Sequence, residues 1–460
     1  MHALHTIAAA ASHRTAGRTP GGTEPVWRIA LMGLLLAVAW ASVTAAQPLP
    51  VATPESVGMR SEGLEVLRQS MRDLVDKGKR SGVVWAVAKD GKLVQFEAFG
   101  QRDIDAGLPI ETDTVFRLYS QSRAITAVAV LTLVDEGRLS LTDPVANHVP
   151  EIGSMQVIKE LRQGVVVETE PQRTPMTVEH LFAYTSGLGY AYDWPASLGV
   201  DQRDILSLDG TLADMMTKLG TLPLLSQPGD RWIYGFHSEV LARIAEVVTG
   251  QPFDRFLRER VLDPLGMPDT GFWVQSGPAD RLATLYTRAP TDDGDPDSAF
   301  SLTERAPTPS STYTYPGPFF SGGGGLVSTV ADYLRFAQMI ANGGELDGVR
   351  ILRSETIENM ATDRLAVTAT KVVGNGYTLN PPHLFAGYGW GLSIGVRLPD
   401  HIHTIPGSPG DLTWGGLANT TFFIDRTRGV VAVAMTQYVG DGADELPFRL
   451  RNGVYGALAP

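Results

Sequence analysis

Apolar residues recur at helical spacing from Ser61 onward: Leu64, Leu67, Met71 and Leu74 fall on one face, and Ser61 is placed to cap the first turn. The period then changes. In VVWAVAKDGKLVQFEAFG two β-rich runs flank Asp90-Gly91, a dipeptide that tolerates the positive φ angles of a tight hairpin. The run AITAVAVLTLVDEG, from Ala124, is apolar nearly all round and stops at Gly137, as expected of a helix buried inside a domain. Residues 141 to about 285 contain no comparable pair of strands, and 240–249 and 253–262 read as helices. Residues 287–318, rich in Pro, Asp, Ser and Thr and including DDGDPD, predict a long surface loop. After SGGGG, Ser328 is placed to cap a helix with Val330, Tyr333, Leu334, Ala337 and Ile340 on one face, ending at Gly343 and Gly344. The tail returns to strands in YGWGLSIGVRL, NTTFFID and GVVAVAMTQY, the last two joined as a hairpin at 426–428.

Strands at both ends and helices between them predict an α/β (α+β) fold. One antiparallel sheet is built from both ends of the chain and flanked by helices, with an inserted all-helical lobe. The expected boundaries are an α/β domain over 47–140 and 310–460, and a mainly helical lobe with its surface loop over 141–309. Residues 1–46 read as a secretory signal: Arg28, about fifteen mostly apolar residues, then small residues ending at Ala45 and Ala46. The apolar run is short for a membrane-spanning helix of ~20 residues, so no stable membrane span is expected after cleavage. The 27 residues before Arg28 are long for such a leader. The expected location is periplasmic or secreted.

A formal charge of -12, from 38 basic and 50 acidic residues, provides no basic surplus to neutralise phosphates and argues against nucleic acid as a partner. The absence of cysteine removes disulfides and thiolate chemistry, leaving a hydroxyl, carboxylate, amine or activated water as nucleophile.

The segment FRLYSQSRAIT puts Ser120 and Arg123 three residues apart at the first turn of the buried helix. Residues i and i+3 share a face, and the helix N-terminus supplies free N–H groups that favour the negative charge of an acyl-transfer intermediate. By itself the pattern is weak, because serine is a common helix cap. In PGDRWIYGFHSEVLARIAEVVTG, Tyr234 precedes another helix, from which a phenol can reach a cleft between lobes. In LTWGGLANTTFFID, Trp414, Gly415 and Gly416 sit where glycines let backbone amides approach a ligand.

Together and in this order, these segments resemble the penicilloyl-serine hydrolase superfamily: class C β-lactamases, penicillin-binding proteins, D-peptidases and their carboxylesterase relatives. LFAYTSGL, FLRERVLDPLGMPDTGF and GGGGLVSTVADYLRFAQMIANGGELDG extend the likeness over nearly the whole chain after the leader. The resemblance implies Ser120 as nucleophile, Tyr234 as proton acceptor and donor, and the N–H groups of Ser120 and Leu417 as oxyanion hole. It also implies that Trp414, Gly415, Gly416 and Phe236 border the substrate. Phe236, at the second-motif Asn position, and the Trp-Gly-Gly third motif match the esterase branch. Arg123 stands where the family has lysine. Arginine has no acceptor and a pKa above ~12, so Arg123 cannot take a proton from Ser120. It can hold a positive charge beside Tyr234, which would then serve as base without a lysine. Lysines are scarce, seven in all, and no Ser-x-x-Lys occurs anywhere in the chain.

Gly391 to Gly395 reads GLSIG, which would make Ser393 the nucleophile of an α/β-hydrolase, yet no helical period follows it. His401 and His403 lack companion ligands, and the glycines at 322–325 lack a phosphate-loop ending, so neither metal nor cofactor is expected. The sequence predicts an exported serine hydrolase acting on a small-molecule ester, amide or peptide through a Ser120 acyl-enzyme. The alternatives are an impaired binding or sensing homologue, because of Arg123, and the Ser393 hydrolase.

Overall fold

A computed structural model describes residues 49–207, 209–288, 302–304, 313–365, 387–399, 403, 405–440 and 445–460. The leader expected over 1–46 and most of the loop at 287–318 lie outside the described residues.

Strict alternation in the first strand organises the fold. In β1 (Gly82–Lys89) the side chains of Val84, Ala86 and Ala88 join one hydrophobic cluster, while Val83, Trp85 and Val87 join another on the opposite face. A strand buried on both faces needs cover on both. Helix α1 (Ser61–Asp76) lays Leu64, Leu67, Met71 and Leu74 on the second face. Asp90 and Gly91, at φ 50° and 74°, turn the chain into β2 (Lys92–Asp103), followed by the short β3 (Leu108–Pro109). After these come α2 (Ser122–Asp135), α3 (His237–Thr249) and α4 (Val330–Ala341). The C-terminal part adds β4 (Tyr388–Trp390), β5 (Gly395–Arg397), β6 (Leu412–Gly416), β7 (Thr420–Asp425), β8 (Val430–Met435) and α5 (Glu445–Ala457).

The strands form one antiparallel sheet in the order β4-β5-β6-β7-β8-β1-β2-β3. β8 repeats the alternation of β1, pairing Val84 with Met435 and Lys89 with Val430. This joins the two ends of the chain, as expected. Helix α5 lies beside α1 on one face, through Leu446, Leu450 and Val454, and α2 and α4 contribute to the cluster on the other.

Three expectations need correction. Residues 141–285 are not all helical: Val157–Arg162 and Val165–Glu170 form a hairpin around Gln163-Gly164, at φ 52° and 77°. Both faces of this hairpin are largely open to solvent, so it lacks the alternation that marks a half-buried strand. Ser61 is not the cap of α1 but its first residue, and its N–H and hydroxyl donate to Glu55 Oε1 at 3.0 and 2.6 Å. Thr329 rather than Ser328 caps α4, accepting from the Asp332 N–H at 3.2 Å. The 253–262 segment is helical, but widens from an α-helix at Phe253–Leu257 to a π turn at Arg258–Leu262. Among the described residues, no helix is long and apolar enough to cross a membrane.

Leu67 is fully buried between α1 and the sheet, remote from the cleft described below. Leu67→Ala should lower the unfolding free energy by about 2–5 kcal/mol. Urea denaturation measures this directly; a loss below about 1 kcal/mol would contradict the three-layer packing.

Candidate active site

The nucleophile candidate sits on a constrained turn. Phe116–Arg117 pairs with Val327–Ser328, and the Leu118 N–H donates to Leu326 O at 2.9 Å. Tyr119 then adopts φ 45°, left-handed backbone that a bulky residue holds only at a cost of about 1–3 kcal/mol. Its ring is fixed edge-on against Tyr313, with centroids 6.4 Å apart. The chain passes through a 3-10 turn, Tyr119–Gln121, into α2, so Ser120 lies just ahead of the helix and half-buried. Its approach is pinned from α4, where the Tyr333 hydroxyl donates to Gln121 O at 3.1 Å. Strand β6 comes against the same turn at Gly416, where a Cβ would stand 2.0 Å from Leu118 O; only glycine permits that approach. Leu417 follows, 48% exposed, at the cleft edge.

One turn beyond Ser120, Arg123 is completely buried. Its Nη1 donates to Tyr184 Oη and Gly235 O, both at 3.0 Å, and to Ser238 Oγ at 3.3 Å, while Nη2 donates to Tyr190 Oη. The guanidinium carbon lies 4.3 Å from the Tyr234 ring centroid, with Tyr184 and Tyr190 at 5.4 and 5.8 Å. Burial opposes the charge, but Tyr184, Tyr190, Tyr234 and Glu239 outweigh it and hold the Arg123 pKa above even its ordinary high value. Arg123 is therefore a permanent cation in a cage of phenols, positioned over the face of Tyr234. Tyr190 moves the other way: burial, only partly opposed by Arg123, pushes its phenol well above the ordinary tyrosine value.

Tyr234 reaches the cleft from the segment preceding α3, and its Oη accepts from the Trp414 indole N–H at 3.3 Å. His237, the first residue of α3, stacks on Tyr184 at 4.5 Å and 9°. Burial, then the charge of Arg123, depress its pKa to about 3. Glu239, in the same first turn, accepts on Oε1 from Ser321 Oγ at 2.7 Å and from the Gly323 N–H at 3.1 Å.

Ser120, Tyr190, Tyr234, Glu239, Gly323 and Leu417 line one cleft of about 480 Å³, within the usual range for small-molecule sites. The hydrogen bonds around the oxyanion candidates use other groups: Gln121 N–H to Leu118 O, and Asn419 N–H to Gly416 O. The arrangement brings a serine just ahead of α2, a tyrosine next to a fixed cation, and the exposed Leu417 to one hollow.

Other expected residues lie elsewhere. Trp414, Gly415, Gly416 and Phe236 do not line the cleft. Phe236 is fully buried, edge-on to Tyr190 at 4.9 Å, and Trp414 is buried with its indole N–H on the Tyr234 oxygen, so these residues shape the wall without forming it. Ser393 is not on a strand-to-helix elbow. At φ 63° between β4 and β5 it is buried, with its hydroxyl donating to Phe182 O at 3.3 Å, which removes the α/β-hydrolase alternative. His403 bonds through Nε2 to Leu398 O at 2.8 Å; His401 lies outside the described residues. Among the described residues, no cluster suits a metal ion. Sequence reasoning missed Tyr184, Tyr190 and Glu239. Tyr184 belongs to LFAYTSGL and Glu239 to PGDRWIYGFHSEVLARIAEVVTG, segments that carry the family likeness, whereas Tyr190 lies two residues beyond the first of them.

Sheet, flanking helices and serine-bearing helix define the β-lactamase/transpeptidase-like fold. A family model described as Beta-lactamase matches residues 67–453, and the chain belongs to that family. It is 34% identical over 374 residues to Protein Rv1367c of Mycobacterium tuberculosis, covering 81% of this chain and 89% of the relative. It is 32% identical over 396 residues to Esterase EstB of Burkholderia gladioli, covering 81% and 90%. Among solved structures, EstCE1, "a hydrolase with promiscuous acyltransferase activity", superposes with a TM-score of 0.68 at 25% identity over 85% of this chain and 98% of that one.

The His237 environment predicts a pH dependence. Between about 3 and the ordinary 6.5, the unfolded chain binds a proton that the folded chain does not, so stability is lost as pH falls through this window. The loss approaches about 1.4 kcal/mol per pH unit. His237→Phe, which can keep the stack on Tyr184, should flatten the dependence measured by urea denaturation from pH 7 to pH 5. Equal slopes in the two proteins would contradict the buried neutral imidazole.

Proposed function

We propose that this protein is a serine hydrolase of the esterase type, acting on small-molecule esters through an acyl-enzyme at Ser120. The single observation carrying the reading is the convergence of Ser120, Tyr234 and Leu417 on one cleft, with the Arg123 guanidinium 4.3 Å from the Tyr234 ring centroid. The relatives add support of a coarser kind, because EstB is an esterase and EstCE1 a hydrolase that also transfers acyl groups.

In the proposed reaction, Ser120 Oγ attacks the ester carbonyl and its proton passes to Tyr234 Oη. The oxyanion is held by the Ser120 and Leu417 N–H groups. Collapse breaks the bond to the alcohol oxygen, which leaves with the proton returned by Tyr234. Water then repeats the sequence on the acyl-enzyme, Tyr234 taking and returning its proton, and releases the acid. An alcohol in place of water would give transfer. Arg123 takes no proton at any step. Its charge on the ring face favours the phenolate form of Tyr234, the same coupling through which Tyr234 helps hold the guanidinium charged. The leader read at residues 1–46 would place this activity outside the cytoplasm.

A fluorophosphonate probe should label the wild type and not Ser120→Ala. Tyr234→Phe should lower kcat/KM on p-nitrophenyl butyrate by at least about 100-fold. In Arg123→Met the rate should fall, and the rising limb of the pH profile should move to higher pH. Absence of labelling in the wild type would favour the binding or sensing alternative, and an unchanged rate in Tyr234→Phe would remove the phenol from its role.

A further inference from the structure

Four of the residues lining the cleft are tyrosines, and three of them form a continuous aromatic wall. Tyr234, the proposed base, meets the Tyr190 ring with centroids 5.7 Å apart at 63°, and Tyr190 meets Tyr192 at 5.5 Å and 42°. Tyr192 therefore stands two ring contacts from the proposed base. The inner two rings are engaged: Tyr234 lies under the Arg123 guanidinium, and the Tyr190 hydroxyl accepts from the same cation. Tyr192 differs. It is 56% exposed, and it borders the same hollow as Ser120.

The backbone that carries this ring is held in place. Tyr192 sits in the 3-10 turn Ala191–Asp193, closed by the Asp193 N–H on Tyr190 O at 2.9 Å and by the Tyr190 N–H on Asp193 Oδ2 at 2.8 Å. Just beyond it, the Trp194 indole N–H donates to Pro223 O at 2.7 Å. A surface fixed before binding loses little ordering entropy when a ligand arrives. Leu417, 48% exposed, and the half-buried Leu206 add apolar surface to the same lining. The two charged lining residues have partners already: Glu239 is 3% exposed with Oε1 held by Ser321 and Gly323, and Arg203 is paired with Asp201 at 2.8 Å. At about 480 Å³ the hollow is also larger than a short acyl chain needs, since pockets of this size take drug-sized ligands.

We propose that Tyr192 is a specificity-determining residue whose ring packs against an aromatic ring of the substrate, so that the preferred esters carry an aryl group a few bonds from the reacting carbonyl. This rests on the acyl-enzyme reading above. Aromatic pairs are worth more than the area they bury, because offset and edge-on arrangements set the positive edge of one ring against the negative face of another. A saturated ring of similar size gains the burial without that alignment.

The test compares aryl esters with their saturated counterparts by acid release in a pH-stat at neutral pH, with spontaneous hydrolysis subtracted. Ethyl 4-phenylbutyrate against ethyl 4-cyclohexylbutyrate places the ring on the acyl side; 3-phenylpropyl butyrate against 3-cyclohexylpropyl butyrate places it on the alcohol side. In at least one pair the wild-type kcat/KM should favour the phenyl ester by about threefold or more, and Tyr192→Leu should bring that ratio to about one. Tyr192→Phe, which keeps the ring, should retain it. A merely structural role for Tyr192 would lower both members of a pair alike and leave the ratio unmoved. If the wild type labels with fluorophosphonate but its ratio is near one in both pairs, or is unchanged in Tyr192→Leu, this inference is overturned and the acyl-enzyme reading stands. A ratio lost in Tyr192→Phe also overturns it, because the hydroxyl would then be the contact. If Ser120 does not label and none of the four esters is hydrolysed, the acyl-enzyme reading fails and this inference with it.

Discussion

A guanidinium sealed from water is the constraint around which the site is arranged. A buried cation is tolerated only where acceptors and countervailing groups replace its hydration, and Arg123 finds these in the Tyr184 and Tyr190 hydroxyls, the Gly235 carbonyl and the Tyr234 ring face. These partners come from two loops far apart in the chain, so satisfying one cation fixes both loops. The same cation closes off the lysine-type mechanism, since arginine cannot release its proton in the working range. Any proton taken from Ser120 must then go to a neighbouring group, and Tyr234 is the phenol held both by the guanidinium on its face and by Trp414 at its oxygen. His237 is a poor substitute, because burial and the nearby cation depress its pKa to about 3, and it does not line the cleft.

The sheet makes this meeting possible. β1 and β8 are buried on both faces and paired edge to edge, which ties residues near 85 to residues near 434 and carries β6 to the turn before Ser120. Hydrophobic alternation thus does more than build a core: it sets the distance between a helix N-terminus and the Leu417 amide. The left-handed Tyr119 and the absent side chain of Gly416 are the local concessions that allow strand and turn to touch.

What was legible in the sequence follows from this division. β1, α1 and α2 could be read because their periodicities reflect burial on defined faces, and Asp90-Gly91 because a tight turn demands positive φ. Motif order singles out Ser120, Tyr234 and Leu417, and all three line one cleft. The hairpin at Val157–Glu170 escaped notice because neither face is buried. Tyr190 and Glu239 escaped because nothing local marks them: one is a tyrosine after a glycine, the other an acidic residue on an amphipathic helix. Their roles arise only when Arg123 and Gly323 arrive from elsewhere. Motif position makes Phe236 and Trp414 expected substrate contacts, whereas packing buries both behind the residues that line the cleft.

The central claim is that a hydroxyl at this helix start is acylated although its neighbour is an arginine. Intact-mass spectrometry after brief exposure to p-nitrophenyl butyrate, with peptide mapping of the quenched protein, addresses it most directly. The account predicts a single butyryl adduct on the peptide containing Ser120 that decays as product forms. An unmodified protein, or an adduct confined to another residue, would contradict it.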